Sequence, residues 1–70
     1  MKFDLLDVVR LKADCPRLGL TRAQTGAVVD VARGGAAYTV EFIDEEGNTF
    51  EDALFEQFSA DELELVSRAL

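Results

Sequence analysis

The chain has 70 residues, of which 49% are hydrophobic and 30% charged, so we expect one small globular domain over residues 1–70. Seven basic and fourteen acidic residues give a formal net charge of −7, which disfavours nucleic acids and anionic membranes as partners. Histidine is absent and cysteine occurs once. These counts exclude the common zinc sites and Ser–His or Cys–His nucleophile pairs, so neither an enzyme nor a cofactor is predicted.

The start of the chain and its single thiol indicate a cytoplasmic protein. Asp4 follows the initial methionine closely, and no long apolar run comes after it, which is unlike a signal peptide. No stretch approaches the roughly 20 apolar residues of a membrane span. Cys15 has no partner for an internal disulfide, as expected in a reducing compartment, and we interpret it as an inert thiol.

The first half of the chain predicts two strands joined by a long loop. Residues 6–11 form a short β-branched run that predicts the first strand. Residues 12–25 contain Pro16 and Gly19 and predict an irregular loop, from which Leu18 and Leu20 fold back onto the core. Residues 26–31 predict the second strand. Its period of two places Asp30 on one face and the apolar side chains on the other, namely Ala27, Val29 and Val31.

Two turns flank the clearest strand. Residues 33–35, Arg-Gly-Gly, predict a tight turn, and residues 37–44 predict a third strand with Tyr38, Val40 and Phe42 on its inner face. Ile43, on the opposite face, is expected to make a satellite contact. Residues 44–48 predict a second hairpin turn in which Gly47 takes a positive φ.

The last third of the chain leaves alternatives open. Residues 49–55 favour a fourth strand, although a helix with Phe50, Leu54 and Phe58 on one face is the alternative. Residues 59–62 have the spacing of a capping box and predict one helical or 3-10 turn. Residues 63–66 predict a short closing strand, with a terminal helix as the alternative.

This order of elements predicts a mainly β fold, a small SH3-like barrel of five strands. Curling a sheet of short strands covers its edges and turns one face of each strand inward. Such a barrel is filled by its own side chains, so binding is expected on an outer face or in the loops. The predicted core is Leu6, Val9, Leu11, Val29, Val31, Tyr38, Val40, Phe42, Leu54, Leu63 and Leu65.

Nearly the whole chain resembles a family of short bacterial proteins catalogued as a domain of unknown function. The resemblance rests on Leu5–Val9, Leu11, Asp14, Pro16, Gly19-Leu20, Thr25-Gly26, Val28-Val29, Tyr38–Phe42, Asp44, Gly47 and Asp61–Leu63. It implies an SH3-like barrel and no catalytic motif. More distantly, residues 26–29 and 38–42 are similar to the small barrels of KOW domains and of the nitrile hydratase β-subunit. KOW domains often bind RNA or ribosomal protein, but the acidity of this chain differs from theirs.

The acidic residues are concentrated in the second half of the chain. Residues 1–35 hold six basic and four acidic residues, whereas residues 36–70 hold one basic and ten acidic residues. The densest group offers a docking surface for a basic protein, or else a solvated face that maintains solubility. It consists of Asp44, Glu45, Glu46, Glu51, Asp52 and Glu56. A divalent cation at Asp44, Glu46 and Asn48 is disfavoured, because the spacing matches no calcium loop.

Two aromatic residues lie beside these acids. Phe55 and Phe58 pointing outward would form an apolar patch ringed by carboxylates, as in many interfaces; pointing inward, they would cap the open end of the barrel. Both are kept as candidate partner-binding residues. Basic side chains in or beside the long loop, Lys12, Arg17 and Arg22, offer either an anion contact or counter-ions for the acidic half.

These features predict a non-catalytic module that binds a protein, such as an antitoxin or immunity protein that blocks a basic enzyme. Self-association through a strand edge belongs to the same class. The alternative is a nucleic-acid or ribosome-associated barrel of the KOW type, whose binding would weaken steeply with salt.

Overall fold

A computed structural model describes residues 2–70 as one open antiparallel sheet with short 3-10 helices. The strands are β1 (Val8–Leu11), β2 (Thr25–Ala32), β3 (Ala37–Phe42) and β4 (Leu63–Ser67), and their order in the sheet is β3-β2-β1-β4. The 3-10 helices span Pro16–Leu18, Arg33–Gly35, Glu51–Phe55 and Ala60–Glu62. The mainly β prediction is confirmed. Between residues 2 and 70 there is no α-helix, and the longest 3-10 helix there has five residues, too few to span a bilayer.

The predicted five-stranded closed barrel is wrong, because residues 49–55 do not form a strand. A strand with Phe50 and Leu54 facing inward would also turn Asp52 inward and bury its charge. The 3-10 helix Glu51–Phe55 instead buries Ala53 and leaves Asp52 in solvent. Along the outer edge of β3, isolated bridges join Tyr38 to Phe58 and Ile43 to Thr49 instead of a further strand, and the sheet stays open.

Other local predictions hold. The turn at residues 33–35 forms, and Gly47 has a φ of +84° in the turn after β3. The capping box at Ser59 and Glu62 begins the 3-10 helix Ala60–Glu62, and β4 follows it directly. Leu20 is buried and Leu18 packs against the core, so the long loop folds back as expected.

The core lies on one face of the sheet. Six predicted members are buried: Val9, Leu11, Tyr38, Val40, Phe42 and Leu63. Two aromatic pairs in the core make edge-to-face contacts. The ring centroids are 5.3 Å apart for Phe3 and Tyr38 and 5.7 Å apart for Phe42 and Phe58. Sequence analysis did not place Phe3, Val28, Ala37 or Ala53 in the core, where the structure buries them.

Four predicted core residues are exposed instead, and Val31 is only half-buried; the four are Leu6, Val29, Leu54 and Leu65. A β-bulge explains Val29, because the pairing with β3 shifts between Val28 and Asp30 and leaves Val29 as the extra residue. Val28 then faces inward before the bulge and Val31 after it. Leu6 is 64% exposed and has a φ of +69°, in the turn that precedes β1.

Candidate functional site

The turn after β3 is built around the carboxylate of Asp44. One of its oxygens, Oδ1, accepts the backbone N–H groups of Glu46 at 2.9 Å and of Asn48 at 2.8 Å. The Asp44 N–H donates to the Asn48 carbonyl, which closes the turn. Asp44 is consequently half-buried and structural, whereas Glu45 and Glu46 project into solvent at the tip.

The 3-10 helix Glu51–Phe55 begins two residues after the bridge that closes this turn. Phe50 donates its N–H to the Phe42 carbonyl at the end of β3, and Ala53 is fully buried, so the helix is held against that strand. Glu51 and Asp52 occupy its first turn and are exposed. We call the five carboxylates of this continuous segment the acidic end; they are Asp44, Glu45, Glu46, Glu51 and Asp52.

The two candidate phenylalanines have opposite environments. Phe55 ends the 3-10 helix and is 87% exposed, the most exposed aromatic side chain among residues 2–70. At a rise of about 2 Å per residue it lies about 8 Å along the helix from Glu51. Phe58 is 4% exposed, because its backbone pairs with Tyr38 and its ring packs on Phe42. The outward patch predicted for both residues therefore contains only Phe55.

Glu56 has a different environment from the acidic end. Its carboxylate lies 2.5 Å from the Arg17 guanidinium, and this hydrogen bond and charge raise the pKa of Arg17. Arg10 pairs with Glu64 at 2.6 Å and lowers the pKa of that carboxyl group, with Arg22 and Lys12 adding a weaker effect. The basic residues of the loop and β1 thus lie beside the carboxylates of Glu56 and Glu64.

The most buried charge among residues 2–70, on Asp7, was not predicted from the sequence. The side chain of Asp7 is enclosed, with the residue 1% exposed, and accepts hydrogen bonds from the N–H groups of Asp4 and Ala69 and from the Arg68 guanidinium. The Asp4 and Ala69 bonds are the largest causes that lower the pKa of Asp7. Asp7 thereby ties the two ends of the chain together. The only sequence signal was an acid next to a β-branched run.

Charge pairing therefore distinguishes three carboxylates from the acidic end. Asp7, Glu56 and Glu64 each have an arginine within 3 Å, and we call them the paired carboxylates. In the part of the chain that the structure describes, no basic side chain lies within 4 Å of any carboxylate of the acidic end. No group of three or more potential metal ligands occurs there either.

Comparison with known proteins identifies a family but no function. No curated protein and no solved structure matches the chain. Residues 5–64 match the family model described as Domain of unknown function (DUF4926), and this match includes both the acidic end and the paired carboxylates. The chain therefore belongs to this family of domains of unknown function.

Proposed function

We propose that the protein is a non-catalytic module that binds a basic protein through the acidic end and Phe55. The observation that carries this proposal is the combination of five carboxylates without basic neighbours and an adjacent exposed phenylalanine. Carboxylates of this kind speed the encounter with a cationic surface, while an aromatic side chain supplies apolar area once water is expelled. An inhibitor of a basic enzyme, of antitoxin or immunity type, is the concrete form of this function.

The position of Phe55 supports a role in binding. Burying an exposed phenylalanine is favourable by about 1.5–3 kcal/mol, and the fold obtains none of this from a ring that remains in solvent. The 3-10 helix is already held by Ala53 and by the backbone bond from Phe50 to Phe42. Phe55 is therefore free to contact a partner without loosening the core.

The alternative of RNA binding is not favoured by the positions of the bases. Arg10, Arg17 and Arg68 are held in ion pairs with the protein's own carboxylates. A phosphate backbone would have to displace those carboxylates to reach these three bases, and it would contact any other base on a chain of net charge −7. An RNA that binds at low ionic strength with steep salt dependence would favour this alternative over ours.

Photo-crosslinking at Phe55 tests the proposal. We expect p-benzoylphenylalanine at this position to form an adduct with a basic protein in extracts of the source cells. The same group at Val66, an exposed residue on β4, serves as the control and should not form that adduct. Neutralising the four exposed carboxylates of the acidic end with Glu45→Gln, Glu46→Gln, Glu51→Gln and Asp52→Asn should abolish the adduct.

Three results would overturn the proposal. One is the absence of any adduct at Phe55. Another is an adduct that persists at full yield after neutralisation. The third is an adduct between two copies of the chain, which would indicate self-association instead.

A further inference from the structure

A groove lies at the opposite end of β3 from the acidic end. It has a volume of about 520 Å³ and is lined by Asp4, Leu5, Asp30, Val31 and Gly34. One wall is the segment that precedes β1, and the other is the end of β2 with the turn that follows it. The six residues of β3 separate this turn from Asp44 by about 20 Å, so the groove is distinct from the acidic end.

The walls of the groove are fixed by hydrogen bonds. The Asp4 N–H donates to the buried Asp7 carboxylate at 2.9 Å, and the Leu6 N–H donates to the Val28 carbonyl at 2.7 Å. Val31 is half-buried and packs against the core. The groove is therefore preformed in the folded chain, as ligand sites usually are.

The groove combines apolar and acidic surfaces. Leu5 is 57% exposed and, with Val31, supplies apolar contact area. The carboxylates of Asp4 and Asp30 are exposed, and within residues 2–70 neither accepts a hydrogen bond nor forms an ion pair. The nearest bases in sequence, Lys2 and Arg33, are not within 4 Å of them.

This combination matches one class of occupant. An arginine or lysine side chain has an apolar stem that packs on leucine and valine and a cationic head that carboxylates bind. Two carboxylates beside an apolar surface are a poor site for Ca²⁺, which needs six or more oxygen ligands. The charge of the groove equally disfavours a phosphate or a nucleic acid.

We propose that this groove binds an arginine or lysine side chain of the basic partner, as a second contact remote from the acidic end. The groove would fix the orientation of the partner, since two separated contacts define an orientation that one contact does not. The proposal rests on the proposed function in one respect, because both require a basic partner.

Amide chemical shifts measured by NMR test the groove with a defined probe. The probe is a synthetic peptide of alternating alanine and arginine, and the control peptide carries citrulline, which is neutral and similar in shape, in place of arginine. We expect the arginine peptide to move the amide signals of Leu5, Val31 and Gly34, and the citrulline peptide not to move them. Asp4→Asn and Asp30→Asn should each weaken binding at these signals by about two- to fivefold.

The matched control is Asp61→Asn, which neutralises one exposed carboxylate outside both the groove and the acidic end and should leave the affinity at the groove signals unchanged. Shifts confined to residues 44–55 would overturn the groove and leave the proposed function standing. Shifts at the groove alone would support the groove and contradict the acidic end, and no shift at either place would contradict both. Groove shifts of equal size with citrulline, or shifts that follow protein concentration without peptide, would overturn the groove.

Discussion

The paired carboxylates and the acidic end contain the same chemical groups in opposite surroundings. Asp7, Glu56 and Glu64 each contact an arginine that lies at least 39 positions away in the sequence, so they join distant parts of the chain. Glu45, Glu46, Glu51 and Asp52 contact no base in the part of the chain that the structure describes. The comparison indicates that one group contributes to the fold and the other remains available to a partner.

The two candidate phenylalanines repeat this contrast. Phe58 fills the core, whereas Phe55 lies in solvent at the border of the acidic end. An exposed aromatic side chain and unneutralised charge thus occur together on one segment, residues 44–55. This difference leads to predictions that separate stability from binding.

The largest expected effect distinguishes the two phenylalanines. Phe58→Ala removes a buried ring that contacts Phe42 and should lower the free energy of unfolding by about 3–5 kcal/mol. Phe55→Ala should change it by less than about 0.5 kcal/mol, because the ring is already in solvent. Urea denaturation followed by circular dichroism measures both. Comparable losses for the two variants would show that Phe55 is part of the fold.

Two glycines extend the comparison to the backbone. A Cβ on Gly26 would lie 2.6 Å from the Glu41 carbonyl oxygen and 2.7 Å from Val40 Cγ1, so Gly26→Ala should destabilise by about 1–3 kcal/mol. Gly47, at the tip of the acidic turn, has open space around it but a φ of +84°, and Gly47→Ala should cost about 1 kcal/mol. Thermal unfolding of both variants shows whether Gly26→Ala is the more destabilising of the two. A Gly26→Ala variant as stable as the parent would contradict the close packing of β2 on β3.

Acidification should weaken the contribution of the paired carboxylates. Hydrogen bonds from the N–H groups of Asp4 and Ala69 hold the pKa of Asp7 below its ordinary value, so ionised Asp7 stabilises the folded state. That stability is present above the ordinary aspartate pKa of about 3.9 and is lost as the pH falls through the lowered value. The parent protein should therefore lose its advantage over Asp7→Asn below about pH 4. The urea midpoints of the parent and of Asp7→Asn, measured at pH 7, 5, 4 and 3, give the difference in stability between them. A difference that does not shrink as the pH falls would contradict the role of Asp7.

Much of the fold could be predicted from local patterns. The alternation of Tyr38, Val40 and Phe42, the Arg-Gly-Gly turn and the capping box at Ser59 are signals carried by a few adjacent residues, and each is confirmed. The failures come from longer-range effects. The bulge at Val29 depends on how β3 pairs with β2, and the sequence of residues 26–31 alone does not predict it.

In residues 49–55, after the second turn, the sequence did contain a helical signal. Phe50 and Ala53 are three residues apart and face the core together, which a helical period would have placed correctly. Preference for a fourth strand at residues 49–55 over the helical alternative led to the wrong structure there. The acidic end could be predicted because its charges all lie within residues 44–52. Its lack of neighbouring bases could not be predicted, because ion pairs join distant residues, as Arg17 and Glu56 do across 39 positions.

The most direct test of the account compares two double variants with identical net charge. Glu46→Gln with Glu51→Gln removes two charges from the acidic end, and Glu56→Gln with Glu64→Gln removes two paired carboxylates. Isothermal titration calorimetry measures the affinity of each double variant for the alternating alanine–arginine peptide. We predict that the first pair weakens binding by about three- to tenfold and the second pair has little effect. Equal weakening by both pairs would show that total charge, and not the acidic end, attracts the basic partner.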